Sequence, residues 1–366
     1  MSTTKTLSVV ILNWNGASQL RKFLPSVVRN SPEAHIIVAD NGSTDDSLEL
    51  LRRSFPTVGT LRFDRNYGFA EGYNRAMENV TTPLALLLNN DVEVPPRWLV
   101  PLLDFLDAHP EAAACQPKLL SYSDRRRFEY AGAAGGFIDS LGYPYCRGRI
   151  FRSLETDEGQ YDTPVPVLWA SGAALLVRTR LYREAGGLDA RFFAHQEEID
   201  LCWRLWSLGY TIWCIPSSRV YHVGAQTLKK SDSDKTFLNF RNNLLLLYKN
   251  LPSSRLRVVM PLRWILDHIA ALEMFLTGRG GDALALLRAR AEYSHIRHEF
   301  DPVRRANLQR ARRPVHRLLS PGSILWQYYL RRRTTYSRLP VRPLPRSGAV
   351  GSDSPTPNPE SDAFDL

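Results

Sequence analysis

Residues 186–202 read Gly-Gly-Leu-Asp-Ala-Arg-Phe-Phe-Ala-His-Gln-Glu-Glu-Ile-Asp-Leu-Cys, which places Glu197, Glu198 and Asp200 within four positions. Neighbouring like charges raise each other's pKa, and burial adds to the rise. A carboxylate tuned in this way is a general base for neutral pH. Read alone, the run also fits the solvated first turn of a helix. Leu201, Leu205 and Leu208 follow at helical spacing, and acids suit a helix amino terminus. The rest of the chain has to separate the two readings.

Further polar residues gather directly after short apolar runs. Asn13-Trp14-Asn15-Gly16 follows Leu7-Ser8-Val9-Val10-Ile11-Leu12, Asp40-Asn41-Gly42-Ser43 follows His35-Ile36-Ile37-Val38-Ala39, and Asn89-Asn90-Asp91 follows Leu84-Ala85-Leu86-Leu87-Leu88. Each reads as a turn or as a ligand-bearing strand end. An Asp at such an end can accept hydrogen bonds from a base or ribose, and the stretch from Asn66 and Gly68 to Asn74 could line the same pocket. One carboxylate, diphosphate oxygens and water suffice for Mg²⁺ or Mn²⁺, so Asp91 is a candidate cation ligand. His222 is either a further cation or phosphate contact or a structural histidine. Trp169 is either a stacking surface for a sugar ring or a core residue.

The elements that would position these groups alternate. Residues 7–12, 35–39, 58–63, 84–88 and 112–115 read as strands, and 18–28, 47–54, 70–79 and 97–108 as helices. That order predicts an α/β fold with a mostly parallel central sheet and helices on both faces. Ligands in such sheets bind at the carboxyl ends of the strands, where the polar residues fall. No GxGxxG or Walker A pattern occurs, which argues against dinucleotide oxidoreductases and P-loop enzymes. After Thr236 the pattern becomes helical, and from about Leu339 it is rich in Pro, Ser, Gly and Asp. The expected division is a catalytic domain over 1–235, an amphipathic, Arg-rich helical extension over 236–338 and a disordered tail over 339–366.

Charge is uneven. Residues 278–350 hold sixteen arginines, no lysine and four acids, a local +12 that leaves −2 for the rest of a chain whose total is +10. The basic segment, with Trp326, Tyr328 and Tyr329 beside Arg331-Arg332-Arg333, suits an anionic membrane surface; RNA is the rival partner and a solvated helix surface the plain alternative. The four cysteines show no ligand or disulfide spacing, which fits a reducing cytosol. Neither a signal peptide nor a spanning helix is expected.

In this order and register, these motifs, with Gly172-Ala173-Ala174-Leu175-Leu176 and the His222 segment, resemble the inverting family 2 glycosyltransferases of the GT-A fold, particularly their rhamnosyltransferase-like bacterial branch. The resemblance covers about residues 7–250. It implies an enzyme moving rhamnose or another hexose from a dTDP- or UDP-sugar to a saccharide or lipid-linked acceptor in surface polysaccharide assembly. The location implied is the cytoplasmic face of the membrane, with no nucleic-acid partner. Carried onto this chain, it implies that Asn13, Asn15, Asp40, Asn66, Gly68, Asn74 and Asn90 serve the nucleotide. Asp91 and His222 would hold Mg²⁺ or Mn²⁺, and Trp169 would meet the acceptor. Glu198 would be the base, with Glu197 and Asp200 as its supports. Two positions depart from the family pattern: Asn89 replaces the first Asp of Asp-x-Asp, and Glu198 replaces the commoner Asp. A sugar nucleotidyltransferase would share the sheet but needs a glycine- and lysine-bearing phosphate loop that residues 13–16 lack. A nucleotide-sugar-binding pseudoenzyme is the other alternative, and donor turnover separates it from an enzyme.

Overall fold

The computed structural model describes residues 6–224 and 232–347. In the first half, strands β1 (Leu7–Asn13), β2 (Ala34–Asp40), β3 (Gly59–Arg62) and β4 (Leu84–Asn89) alternate with helices α1 (Ala17–Asn30), α2 (Ser47–Ser54) and α3 (Gly68–Glu78). A short β5 (Val92–Glu93), α4 (Val100–Ala108) and the long β6 (Ala112–Ser121) follow. Then come four short strands, β7 (Gly136–Ile138), β8 (Pro144–Cys146), β9 (Arg149–Ile150) and β10 (Ser153–Leu154), and after them β11 (Val165–Pro166) and β12 (Ala174–Arg178). Helices α5 (Thr179–Glu184) and α6 (Glu197–Ser207) lead to β13 (Thr211–His222). The chain then turns helical, with α7 (Asp232–Asn250), α8 (Ser253–Leu276), α9 (Gly280–Ile296) and α10 (Asp301–Arg310).

The main sheet runs β11-β13-β6-β12-β4-β1-β2-β3, with β5 on β13. Parallel pairing joins β3, β2, β1 and β4, and also β6 and β13, whereas β12 runs antiparallel between β4 and β6. Burial on both faces explains the unbroken apolar runs. On one face Leu7, Val9 and Ile11 pack with Leu20, Leu24 and Val27 of α1. On the other, Val10 and Leu87 pack with Tyr73, Ala76 and Met77 of α3. The four short strands form a second, antiparallel sheet, β10-β9-β8-β7.

Residue 235 does not divide two cores. Leu244, Leu245, Leu246 and Leu247 of α7 are wholly buried in the same cluster as Leu205 and Trp206 of α6. Nor does disorder begin at 339, because Leu344 is buried and Leu339 and Val341 pack on that cluster. The rest of the expected tail, 348–366, lies outside the described residues.

A buried ionic clasp fixes α7 to α6. Lys249 Nζ lies 2.7 Å from Asp189 and 2.8 Å from Asp200. Removing one partner of a buried ion pair leaves the other charge uncompensated, so Lys249→Met should lower the unfolding free energy by about 3 kcal/mol. Denaturant titration checks this, and a loss below about 1 kcal/mol would show that the clasp contributes little to stability.

Candidate active site

The acid pair starts α6, and the chain reaches it through an unusual turn. Phe193, His195 and Gln196 all have left-handed backbone angles, with φ of 64°, 72° and 75°. For residues with a Cβ this costs about 1–2 kcal/mol each. The turn is tied to the start of α3, where the N–H groups of Phe69 and Ala70 donate to the Phe193 carbonyl at 2.8 and 3.1 Å. Gly68 is required there: a Cβ at this position would lie 2.5 Å from the Phe193 ring.

This geometry removes the solvated-turn reading. Glu197 is only 4% exposed and Glu198 is half-buried, and Oε2 of each has no hydrogen-bond partner. Burial is the main force raising both carboxyls. Glu198 and then Asp200 push Glu197 higher still, well above the ordinary carboxylate range, while Glu198 is pushed up to about 7.

Three expected site residues do other work. Asp200 does not orient an acceptor: its carboxylate is occupied by Arg204, Lys249 and Asn250, each at 2.8 Å. Burial alone would raise its pKa, but the Arg204 and Lys249 charges outweigh burial and lower it. Trp169 offers no face to a sugar. It is 3% exposed, donates from Nε1 to the Phe137 carbonyl and occupies the space beside Gly136, where a Cβ would be 1.9 Å from its ring. Asn74 clamps the segment before the acid pair rather than lining a nucleotide pocket. Its Nδ2 donates to the Leu188 carbonyl, and its Oδ1 accepts from the Leu188 N–H and the Tyr182 hydroxyl.

Strands β1, β2 and β4 bring the remaining nucleotide candidates together at their carboxyl ends. Asn13 is wholly buried. Its Nδ2 donates to Asp40 at 3.3 Å and Ser47 at 3.0 Å, while its Oδ1 accepts from Asn90 at 3.0 Å. Asp40 is equally enclosed and also accepts from the Ser43 N–H. Exposed Asn15 accepts from the Thr44 N–H at the rim. Asn41 links the strand end to α3, its Nδ2 donating to Asn66 Oδ1 and its Oδ1 accepting from the Tyr67 N–H. Asn90 Oδ1 is buried without a partner.

Pairing of β5 with the end of β13 sets His222 opposite Val92 and so beside Asp91. His222 Nε2 is 3.1 Å from Asp91 Oδ1 and 3.3 Å from Asn89 Nδ2, and its Nδ1 is 3.4 Å from Glu129. Burial opposes charge on the imidazole, but the two carboxylates prevail and raise its pKa to about 10. Glu129 has no local sequence signal, because it reaches His222 from an irregular segment remote in the chain. Among the described residues no three such side chains converge into a cation cage, since the two carboxylates face opposite nitrogens of the ring. With both ring nitrogens turned to carboxylates, His222 stands as a charged neighbour rather than a donor, so a cation here would rest on Asp91, a diphosphate and water.

A nine-stranded mixed sheet of this order, with polar groups gathered at the strand ends and a buried acid pair beside them, defines a transferase of the GT-A fold. The fold is shared with the solved structure of GalNAc-T7 with UDP, GalNAc and Mn²⁺ (TM-score 0.55, 17% identity, 69% of this chain and 49% of that one). The sequence model of Glycosyl transferase family 2 matches residues 8–173, so the chain carries a family 2 glycosyltransferase domain and is a glycosyltransferase. It is 27% identical over 293 residues to the N-acetylglucosaminyl-diphospho-decaprenol L-rhamnosyltransferase of Mycobacterium tuberculosis, covering 75% of this chain and 94% of the relative. It is also 26% identical over 224 residues to an O-antigen biosynthesis protein of Myxococcus xanthus, covering 60% of this chain but 17% of that protein.

A raised carboxyl pKa has a stability cost with a definite sign. Above its unfolded value of 4.5 the free chain ionises at Glu198, whereas the folded chain resists ionisation up to about 7. Folding therefore loses stability as pH rises through this window. Glu198→Gln should melt higher than wild type at pH 8, with the gap closing toward pH 5. Equal melting temperatures at both pH values would show that the carboxyl is not raised.

Proposed function

We propose that this enzyme transfers rhamnose or a related hexose from a dTDP- or UDP-sugar to a lipid-linked saccharide, inverting the anomeric centre, in surface polysaccharide assembly. The carrying observation is the buried Glu197–Glu198 pair, held by a turn bonded to the strand-end helix α3. The more exposed Glu198 takes the acceptor hydroxyl proton. The acceptor oxygen then forms its bond to the anomeric carbon from the face opposite the diphosphate, and the departing C–O electron pair leaves with the nucleoside diphosphate. Glu197, raised further, keeps the pair's proton. Asp40, Asn13, Asn15, Asn66 and Gly68 shape the nucleotide end. Mg²⁺ or Mn²⁺ at Asp91, with His222 beside it, would supply Lewis-acid stabilisation of the leaving diphosphate. The names of the rhamnosyltransferase and O-antigen relatives support the sugar and acceptor classes.

The acceptor side of this reading draws on α8, whose polarity is inverted relative to an ordinary surface helix. Arg263 and Asp267 are buried, at 1% and 0% exposure. Val258, Leu262, Ile265, Ile269, Leu272 and Leu276, spaced by three or four residues, all stand at least 43% exposed. Such an apolar stripe calls for a non-aqueous partner. Trp326, Tyr329 and Leu330 are exposed on a turn beside the α8–α9 corner, where the charges of Glu273 and Arg279 act on Tyr329. Exposed Arg331 and Arg332 follow. Apolar side chains with interfacial aromatics and arginines match an anionic bilayer surface. No described helix is long and apolar enough to cross a membrane. In this reading the stripe lies on the cytoplasmic leaflet, where a lipid-linked acceptor is presented.

Two measurements test these points. Glu198→Gln should lower turnover by at least about a hundredfold while the nucleoside diphosphate Kd changes less than about twofold; turnover within a few fold of wild type would remove Glu198 as base. The wild-type protein should float with anionic liposomes at low salt, and Ile265→Ser with Ile269→Ser should not. Wild type that stays behind, or that buries the stripe in a dimer, contradicts membrane docking.

A further inference from the structure

We infer that Asn242 is the positioning residue of the acid pair: its buried side-chain amide holds the left-handed turn that delivers Glu197 and Glu198. This rests on Glu198 being the base. The turn cannot hold itself. Gly186 and Gly187 take positive φ freely a few residues earlier, but Phe193, His195 and Gln196 are not glycines, so neighbouring groups must fix their conformation. Asn242 is wholly buried, and its Nδ2 lies 2.9, 2.8 and 2.8 Å from the carbonyls of Phe192, Ala194 and His195. Three carbonyls within residues 192–195 thus converge on one amide nitrogen and share its two hydrogens.

The residues on either side reinforce it. Arg241 donates from Nε to Asn242 Oδ1 at 2.9 Å, orienting the amide, and from Nη2 to the carbonyls of Arg191 and Phe192. Asn243 donates to Gln196 Oε1 at 3.3 Å and accepts from buried Arg263 at 2.6 Å. The four buried leucines that follow on α7 fix the helix carrying these groups. With Phe69 and Ala70 bonded to the Phe193 carbonyl from the other side, the turn is pinned between α3 and α7. Glu197 comes next after Gln196, so any drift of the turn moves the carboxylates away from the acceptor hydroxyl. Misplacement by about 1 Å costs roughly a hundredfold in rate.

The test replaces Asn242 by Asp, which keeps the shape but loses the donating amide, and by Ser as a second variant should the first not fold. Turnover is scored per folded molecule. Expected is a fall in kcat of about a hundredfold, with donor KM and nucleotide Kd within about twofold of wild type. Part of the lost kcat should return on adding His195→Gly, since glycine adopts this backbone unaided. A merely structural role would lower kcat and nucleotide affinity together and would not be rescued. That pattern, or a folded variant with kcat within about threefold of wild type, overturns the inference. If Glu198→Gln abolishes turnover but the Asn242 variants do not, the positioning role alone fails; if Glu198→Gln stays active, the base assignment fails and this inference falls with it.

Discussion

Two adjacent carboxyls in the first turn of a buried helix cannot both ionise cheaply, and the structure is arranged around that constraint. Each pKa unit of displacement is about 1.4 kcal/mol of strain between protonation states. Glu197 and Glu198 carry such displacement, in contrast to the third acid of the run. Asp200 lies in the same first turn of the helix, yet Arg204 and Lys249 neutralise it and Asn250 bonds it. The difference between these acids is the presence or absence of cationic partners. Where cations neutralise the carboxylate it serves stability, and where an oxygen faces no partner it is available for chemistry.

The fold supplies the constraint from several directions. Strands β1, β2 and β4 end in the Asn13, Asp40 and Asn90 cluster, and Asn41 passes that order to the start of α3. Helix α3 in turn bonds the turn before the acids, so the end of the molecule that would hold the nucleotide and the acids that would act on the acceptor share one hydrogen-bonded path. Helices α6 and α7 close it from behind through Lys249 and the buried leucines. The C-terminal helices are therefore part of the site's support, and α8 adds an outer apolar face while Arg263 and Asp267 on its inner face bond Leu141, Asn243 and Tyr143.

Much of this is legible in the sequence where burial is regular. The runs that became β1, β2 and β4 are apolar on both faces, and the α1 leucines recur at helical spacing, so position and type follow directly. The acid pair is visible as a charge cluster, but its burial is not, because burial depends on α3 and on a left-handed turn built from residues with no preference for it. The antiparallel direction of β12 and the small sheet of two- and three-residue strands leave no periodic trace. For Trp169 and Asn74 residue type alone admits a ligand, and only packing shows that a carbonyl or a neighbouring loop already holds the polar groups. Glu129 carries no local pattern, and the Phe240-Arg241-Asn242-Asn243-Leu244 run shares in the family resemblance without showing what Asn242 bonds. Glu129 and Asn242 act across the fold, on His222 and on residues 192–195.

The central claim is that burial and proximity keep one proton on the acid pair near neutrality. pH-dependent infrared difference spectroscopy observes this directly, because a protonated carboxyl has its own carbonyl stretch. The account predicts a carboxyl band in the wild-type protein that disappears with a midpoint of about 7 and is absent or displaced in Glu198→Gln. A spectrum in which Glu197 and Glu198 are both ionised by about pH 5, the ordinary range for exposed glutamates, would contradict it.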